Sequence, residues 1–201
     1  VADGLLQPGE EAPAHQPQLL PGQVKLKNIN GDDKLNEEDM VLIGRNDPKF
    51  IFGFNNNFSY KNFDLNIYMY GQVGKIAGAN SYYDAWGSYG NRIKLGQNVP
   101  VSFKDAWSSD NQTSTRPSFI ESAYGTGDLF LQKISFLRIR NITLGYTVPI
   151  SKSICNRLRV YADVNNPCVW TNWKGQDPET DSNTNAYPNV TSFSIGVDIS
   201  F

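Results

Sequence analysis

The chain of 201 residues ends in SFSIGVDISF, and this stretch constrains the fold more than any other. Phe193, Ile195, Val197, Ile199 and Phe201 fall on one parity; Ser192, Ser194, Gly196, Asp198 and Ser200 fall on the other. A period of two describes an extended strand with one apolar and one polar face. In a sheet bathed by water, so regular an edge would template unwanted pairing and would be blunted by charge or proline. This one is blunted by neither. It has the pattern of a membrane β-barrel strand, with an apolar row against lipid and a polar row against a wet interior.

The same period appears upstream. Phe50, Phe52, Phe54, Phe58 and Tyr60 share one face, and Ile51, Gly53, Asn55, Asn57 and Ser59 the other. After the dipeptide Lys61-Asn62, Phe63, Leu65, Ile67 and Met69 continue the apolar row. A two-residue hairpin loop pairs Tyr60 with Phe63, Phe58 with Leu65 and Asn56 with Ile67, keeping both rows on one face. Asn56 is the one polar member. In ISFLRIRNITLGYTVP, residues 134–149, Leu137 and Ile139 have one parity and Ile142, Leu144, Tyr146 and Val148 the other. This predicts a β-bulge near Asn141, with Arg138 and Arg140 turned away from the apolar row. LRVYADVNNPCVW supplies a fourth strand, and the terminal stretch a fifth. Residues 74–133 lack alternation and read as a long surface loop; 1–27, with four prolines, read as ordered loop or linker. Short turns alternate with long connections, the asymmetry of outer-membrane barrels.

Composition agrees. Aromatics reach 12% while hydrophobic residues are only 39%, a balance that suits strands and loops better than helix bundles. A net charge of -2 excludes the basic stripe of a nucleic-acid binder. No run of 18 apolar residues occurs, which rules out a transmembrane helix but not a barrel. Without an initiating Met or a signal peptide, the chain is expected to be the carboxy-terminal piece of something longer. Cys155 and Cys168 are separated by an extended run, so two free thiols are expected rather than a disulfide. On the residues alone, a secreted β-sandwich carbohydrate-binding module remains the alternative; it requires the apolar rows to form one sheet-to-sheet core.

Six motifs occur in one order: PGQVKLKNINGDDKLNEEDMVLIG, NDPKFIFGFNNNFSYKNFDLNIYMYGQVG, FLRIRNITLGYTVP, LRVYADVNN, GQDPE and FSIGVDISF. Together they resemble the carboxy-terminal end of SusC/RagA-like TonB-dependent outer-membrane transporters. The resemblance implies an all-β fold: the last five antiparallel strands of a 22-stranded transmembrane barrel with long extracellular loops. It places an extracellular loop region at 1–48 and barrel strands and loops at 49–201, with plug and earlier strands outside this chain. It further implies the outer membrane of a Gram-negative bacterium, contact with its lipid, and import of oligosaccharides or peptides with a SusD-like surface lipoprotein. TonB would be contacted through the part not in this chain. The terminal Phe201 matches the aromatic residue by which barrel-assembly machinery recognises its clients.

Candidate site residues fall into three sets. Residues 28–39, NINGDDKLNEED, overlay a calcium loop with Asn28, Asn30, Asp32, Lys34 and Asp39 as ligands. Asp33 stands where the turn glycine belongs and Asn28 where Asp is usual, so an Asx-rich turn without metal explains the segment too. Tyr82, Tyr83, Trp86, Tyr89 and Trp107 crowd the long loop, to meet substrate or partner or to pack the loop's own core. Asp64, Arg138, Arg140, Asp163 and Asp198 fall on the inferred lumen face, as solute path or as a mutually paired wall. Trp170 and Trp173 read as structural, their bland explanation being the interfacial aromatic girdle of a barrel. His15, alone among Pro and Gln, reads as structural, and with no catalytic constellation the chain is not expected to be an enzyme.

Overall fold

The computed structural model describes residues 1–78, 95–96, 98–99, 101–119, 125–150, 155–175, 177–180 and 186–201. Among them lie seven strands: β1 Ala2–Leu5, β2 Val24–Leu26, β3 Phe50–Tyr60, β4 Phe63–Gly78, β5 Leu131–Val148, β6 Arg157–Thr171 and β7 Ser192–Ser200. β1 and β2 pair with each other; β3 to β7 form one five-stranded sheet in chain order. No helix among the described residues is long and apolar enough to cross a membrane, which says nothing of strands. Two compact units result, Val1–Gly44 with Gly78–Gln132, and Arg45–Ala77 with Lys133–Phe201.

The second unit holds the five-stranded sheet, and its hairpin has the expected register. Tyr60 pairs with Phe63, Phe58 with Leu65 and Asn56 with Ile67, and the pairing runs unbroken to Phe50 and Val73. Lys61 takes a left-handed φ of 53° to close the two-residue turn. Phe50, Phe54, Phe58, Phe63, Phe193, Ile195, Val197 and Ile199 are each more than half exposed, with Ile195 at 83%. Rows this exposed form no sheet-to-sheet core among the described residues, so the β-sandwich alternative, which requires one, fails. Eleven residues of β3, at about 3.3 Å each and tilted roughly 45°, span about 25 Å, the height of a barrel's apolar band.

The slip near Asn141 is present. Ile139 pairs with Cys168 but Asn141 with Asn165, which leaves Asn166 and Pro167 opposite Arg140 alone. The extra residue therefore sits on β6, where Asn166 adopts a φ of 49° and Pro167 offers no N–H to the ladder. Side-chain contacts show the change of face along β5. The Phe136 ring lies 5.9 Å from Tyr70 on the polar face, and that of Tyr146 4.7 Å from Phe63 on the apolar face. Cys155 and Cys168 are free thiols.

In the first unit, residues 1–27 are more ordered than a linker. Leu5, Val24 and Leu26 form a small buried cluster, with Ala2, Leu35, Trp107 and Leu129 packed against it. The buried Gln16 amide is satisfied within it, accepting from Leu26 N at 2.7 Å. His15 Nε2 lies 2.8 Å from the Leu26 carbonyl, a structural contact.

Candidate functional site

The polar face of the five-stranded sheet is held by side-chain networks that cross its strands. On the β3–β4 hairpin, Asn66 Nδ2 donates to Asn55 Oδ1 at 2.7 Å and to Asn57 Oδ1 at 2.6 Å. Between β5 and β6, Asp163 accepts from Thr143 Oγ1 and Asn165 Nδ2, both at 2.7 Å, and from Asn141. Each is a cross-strand or near-neighbour pairing of the kind that fixes register.

A longer bridge lies near the short turns. Arg159 on β6 donates to both oxygens of Asp64 on β4, Nε at 3.0 Å and Nη2 at 2.6 Å, and its Nη1 reaches Asp198 on β7 at 3.0 Å. β4 and β6 are not neighbours; β5 runs between them, so the pair spans two strand spacings, about 10 Å. Gly145 on β5 makes the span open. A Cβ there would lie 2.5 Å from both Arg159 Nε and Asp64 Oδ1. Gly196 does the same for Tyr161, whose ring lies over it with Cε1 at 2.7 Å from a would-be Cβ. The Arg159 guanidinium stands 5.0 Å from the centre of that ring.

At the long-connection end, Arg138 and Arg140 grip the β6–β7 connection. Arg138 Nη2 donates to both oxygens of Asp177 at 2.8 and 2.9 Å. Its Nε lies 2.9 Å from Glu179 Oε2, close enough for charge attraction although the N–H is not aligned for a hydrogen bond. Arg140 pairs with Glu179 as well. Asn189 Nδ2 then bonds Glu179 Oε2 at 2.9 Å and Asp177 Oδ2 at 3.3 Å, tying the outgoing arm to the incoming one.

All five charged residues read from the sequence as lumen-facing thus belong to paired networks on the polar face. Arg159, central to one of them, was missed, although its parity with Asp163 in LRVYADV was there to read. Tyr82, Tyr83, Trp86 and Tyr89 lie outside the described residues. Trp107 packs against the Leu5–Val24–Leu26 cluster, its backbone N–H donating to Arg116 O at 3.0 Å. Trp170 is 56% exposed, as a girdle residue should be, but Trp173 is buried, and the girdle assignment fails for it. Trp173 lies just beyond β6, which ends at Thr171, and its N–H donates to Thr171 Oγ1 at 3.0 Å.

In the calcium-like segment the side-chain oxygens meet the loop's own N–H groups. Asn28 Oδ1 accepts from Gly31, Asn30 Oδ1 from Asp32, and Asp32 Oδ1 from Lys34. Asp39 accepts from Ile29 at 2.7 Å and Asn36 at 3.0 Å, closing a capping box with Asn36. The N–H groups of Asn36 and Ile29 hold the Asp39 carboxyl below its ordinary pKa. Its contribution is therefore present at neutral pH and lost as pH falls through that lowered value. Among the described residues, no three His, Cys, Asp or Glu side chains converge as metal ligands.

A sheet with a bare apolar face and a cross-linked polar face defines the class: a stretch of transmembrane β-barrel wall. The chain is 28% identical over 201 residues to TonB-dependent receptor P3 of Formosa agariphila, covering 90% of this chain and 19% of the relative. It is 27% identical over 180 residues to the TonB-dependent receptor SusC of Bacteroides thetaiotaomicron, covering 86% and 17%. Among solved structures it is similar to a chain of the RagAB peptide transporter, with a TM-score of 0.73 at 22% identity, covering all of this chain and 22% of the other. No family model matches. The resemblance read from the motifs holds: the chain is similar to TonB-dependent receptors, SusC among them, and spans about a fifth of their length. Those relatives are receptors, not enzymes.

Proposed function

We propose that this chain is part of the barrel wall of a TonB-dependent outer-membrane transporter that imports oligosaccharides or peptides with a SusD-like surface lipoprotein. The observation that carries the reading is one sheet with two incompatible faces. Phe193, Ile195, Val197 and Ile199 stand exposed on one side, while Asp64, Arg159 and Asp198 are bridged on the other. Lipid on one side and water on the other satisfies both. Peptide cargo is supported by the name of the RagAB relative, oligosaccharide cargo by the motif resemblance to the SusC group. The test is uptake by cells producing the full-length protein, offered labelled mixed oligopeptides or labelled malto-oligosaccharides, with and without a functional TonB. TonB-dependent uptake of one class, with a surface lipoprotein co-purifying, is expected. Uptake of neither, or uptake indifferent to TonB, would refute the proposal.

We also propose that the Asn28–Asp39 turn stands without calcium. Asp32 and Asp39 are the only carboxylates at ligand positions, and so low a charge count places calcium affinity at the weak end of the range. Melting of the full-length protein in calcium and in chelator should superimpose; a calcium-dependent rise would show that the ion is part of the turn.

A further inference from the structure

We infer that Asn30-Gly31 is a deamidation site that the folded 28–39 turn holds shut. It is the only Asn-Gly pair in the chain, and both residues are exposed. Gly31 has a φ of 80°, and nothing lies within 4 Å of where a Cβ would be, so no side chain shields its nitrogen. Such a pair is primed to react. The Gly31 nitrogen gives its proton to hydroxide and attacks Asn30 Cγ. As the N–Cγ bond forms, the bond from Cγ to Nδ2 breaks, and Nδ2 leaves as ammonia with a proton from water. Water then opens the cyclic imide at one carbonyl or the other, which leaves aspartate or isoaspartate. No oxidant or reductant takes part.

Each polar atom of that reaction is engaged elsewhere in the turn. The Gly31 N–H donates to Asn28 Oδ1 at 2.7 Å, which holds the proton that must leave. Asn28 is itself fixed, because its Nδ2 donates to the Asp32 carbonyl. Asn30 Oδ1 accepts from Asp32 N–H at 3.1 Å and its Nδ2 donates to Glu38 Oε2 at 2.9 Å, so the carboxamide is pinned at both ends. Glu38 is held in turn by its own N–H on Asn36 Oδ1 at 2.7 Å, in the 3-10 turn Glu37–Asp39. To react, the Asn30 side chain must leave both partners while the Gly31 N–H leaves Asn28. Three bonds of ordinary net strength make that open form rare, and slow the reaction by roughly tenfold or more against an unfolded chain. Once made, the change is one-way. A carboxylate at position 30 has no N–H for Glu38 and repels it, and isoaspartate also lengthens the backbone by a carbon.

The test compares the full-length protein folded in detergent with the same protein unfolded in guanidinium chloride, both at mildly alkaline pH. The inference rests on the turn standing without calcium, and chelator in every sample keeps the two questions apart. Peptide mapping after pepsin digestion in acid reads the change in mass at Asn30. The unfolded chain should convert at least about tenfold faster. In the folded state Asn28→Ala, which frees the Gly31 N–H, should raise the rate about fivefold. Glu38→Ala, which frees the Asn30 amide, should act in the same direction, whereas Glu38→Gln keeps an acceptor oxygen and should change little. Heat-modifiable migration confirms that each variant has assembled, and Glu38→Ala serves if Asn28→Ala does not. Equal rates in folded and unfolded protein, or a folded rate that neither alanine variant raises, would overturn the inference. An unfolded chain that keeps its Asn30 amide would overturn it as well.

Discussion

Replacing Ile195 by arginine in the full-length protein should sharply reduce the yield of folded barrel, whereas Ser194→Arg should be tolerated. The two positions are adjacent on β7 and differ only in the face they present. Ile195 is opposite Ala162 in the apolar row, and Ser194 is opposite Asp163 in the polar row. A guanidinium near the bilayer midplane of a barrel costs about 2–4 kcal/mol and falls toward zero at the interfaces. On the polar side the same group meets water and the Asp163 carboxylate. The measurement is the fraction of heat-modifiable protein on unheated gels. Equal behaviour of the two variants would mean that the apolar row does not face lipid.

The contrast between these neighbours is the part of the structure the sequence made most legible. Period-two alternation across Lys61-Asn62 determined register, because a slip of one residue would have turned every phenylalanine of β3 to the wrong side. The phase change near Asn141 was also readable, but not that the extra residue belongs to Asn166 and Pro167 on the facing strand; pairing, not pattern, decides that. β1 and β2 escaped because ADGL and VKL are too short to show a period. Trp173 could not be placed by pattern, because it lies in the connection after β6, where no period applies, and its burial depends on contacts. The Asp64–Arg159 bridge was out of reach for a different reason. Its partners are 95 residues apart in sequence and separated by a whole strand, and parity alone cannot say that a glycine leaves the gap between them open.

That glycine gives the second prediction. Gly145→Ala should destabilise the barrel, and the loss should depend on Arg159. The new Cβ would sit 2.5 Å from Arg159 Nε and Asp64 Oδ1, so the guanidinium must swing away and give up its two bonds to Asp64. Asp64 is about one-third exposed and Asp198 more, so water recovers part of the loss; about 1–2 kcal/mol is the expected scale rather than the 3–5 of a fully buried pair. Arg159→Met should cost a similar amount by itself. Combined with Arg159→Met, Gly145→Ala should cost little more, because a flexible thioether yields to a methyl where a tethered guanidinium does not. Unfolding of the four proteins in guanidinium, read as a double-mutant cycle, supplies the coupling. If Gly145→Ala costs as much without Arg159 as with it, the glycine serves β5 itself, and the bridge across the strand is not what holds that position open.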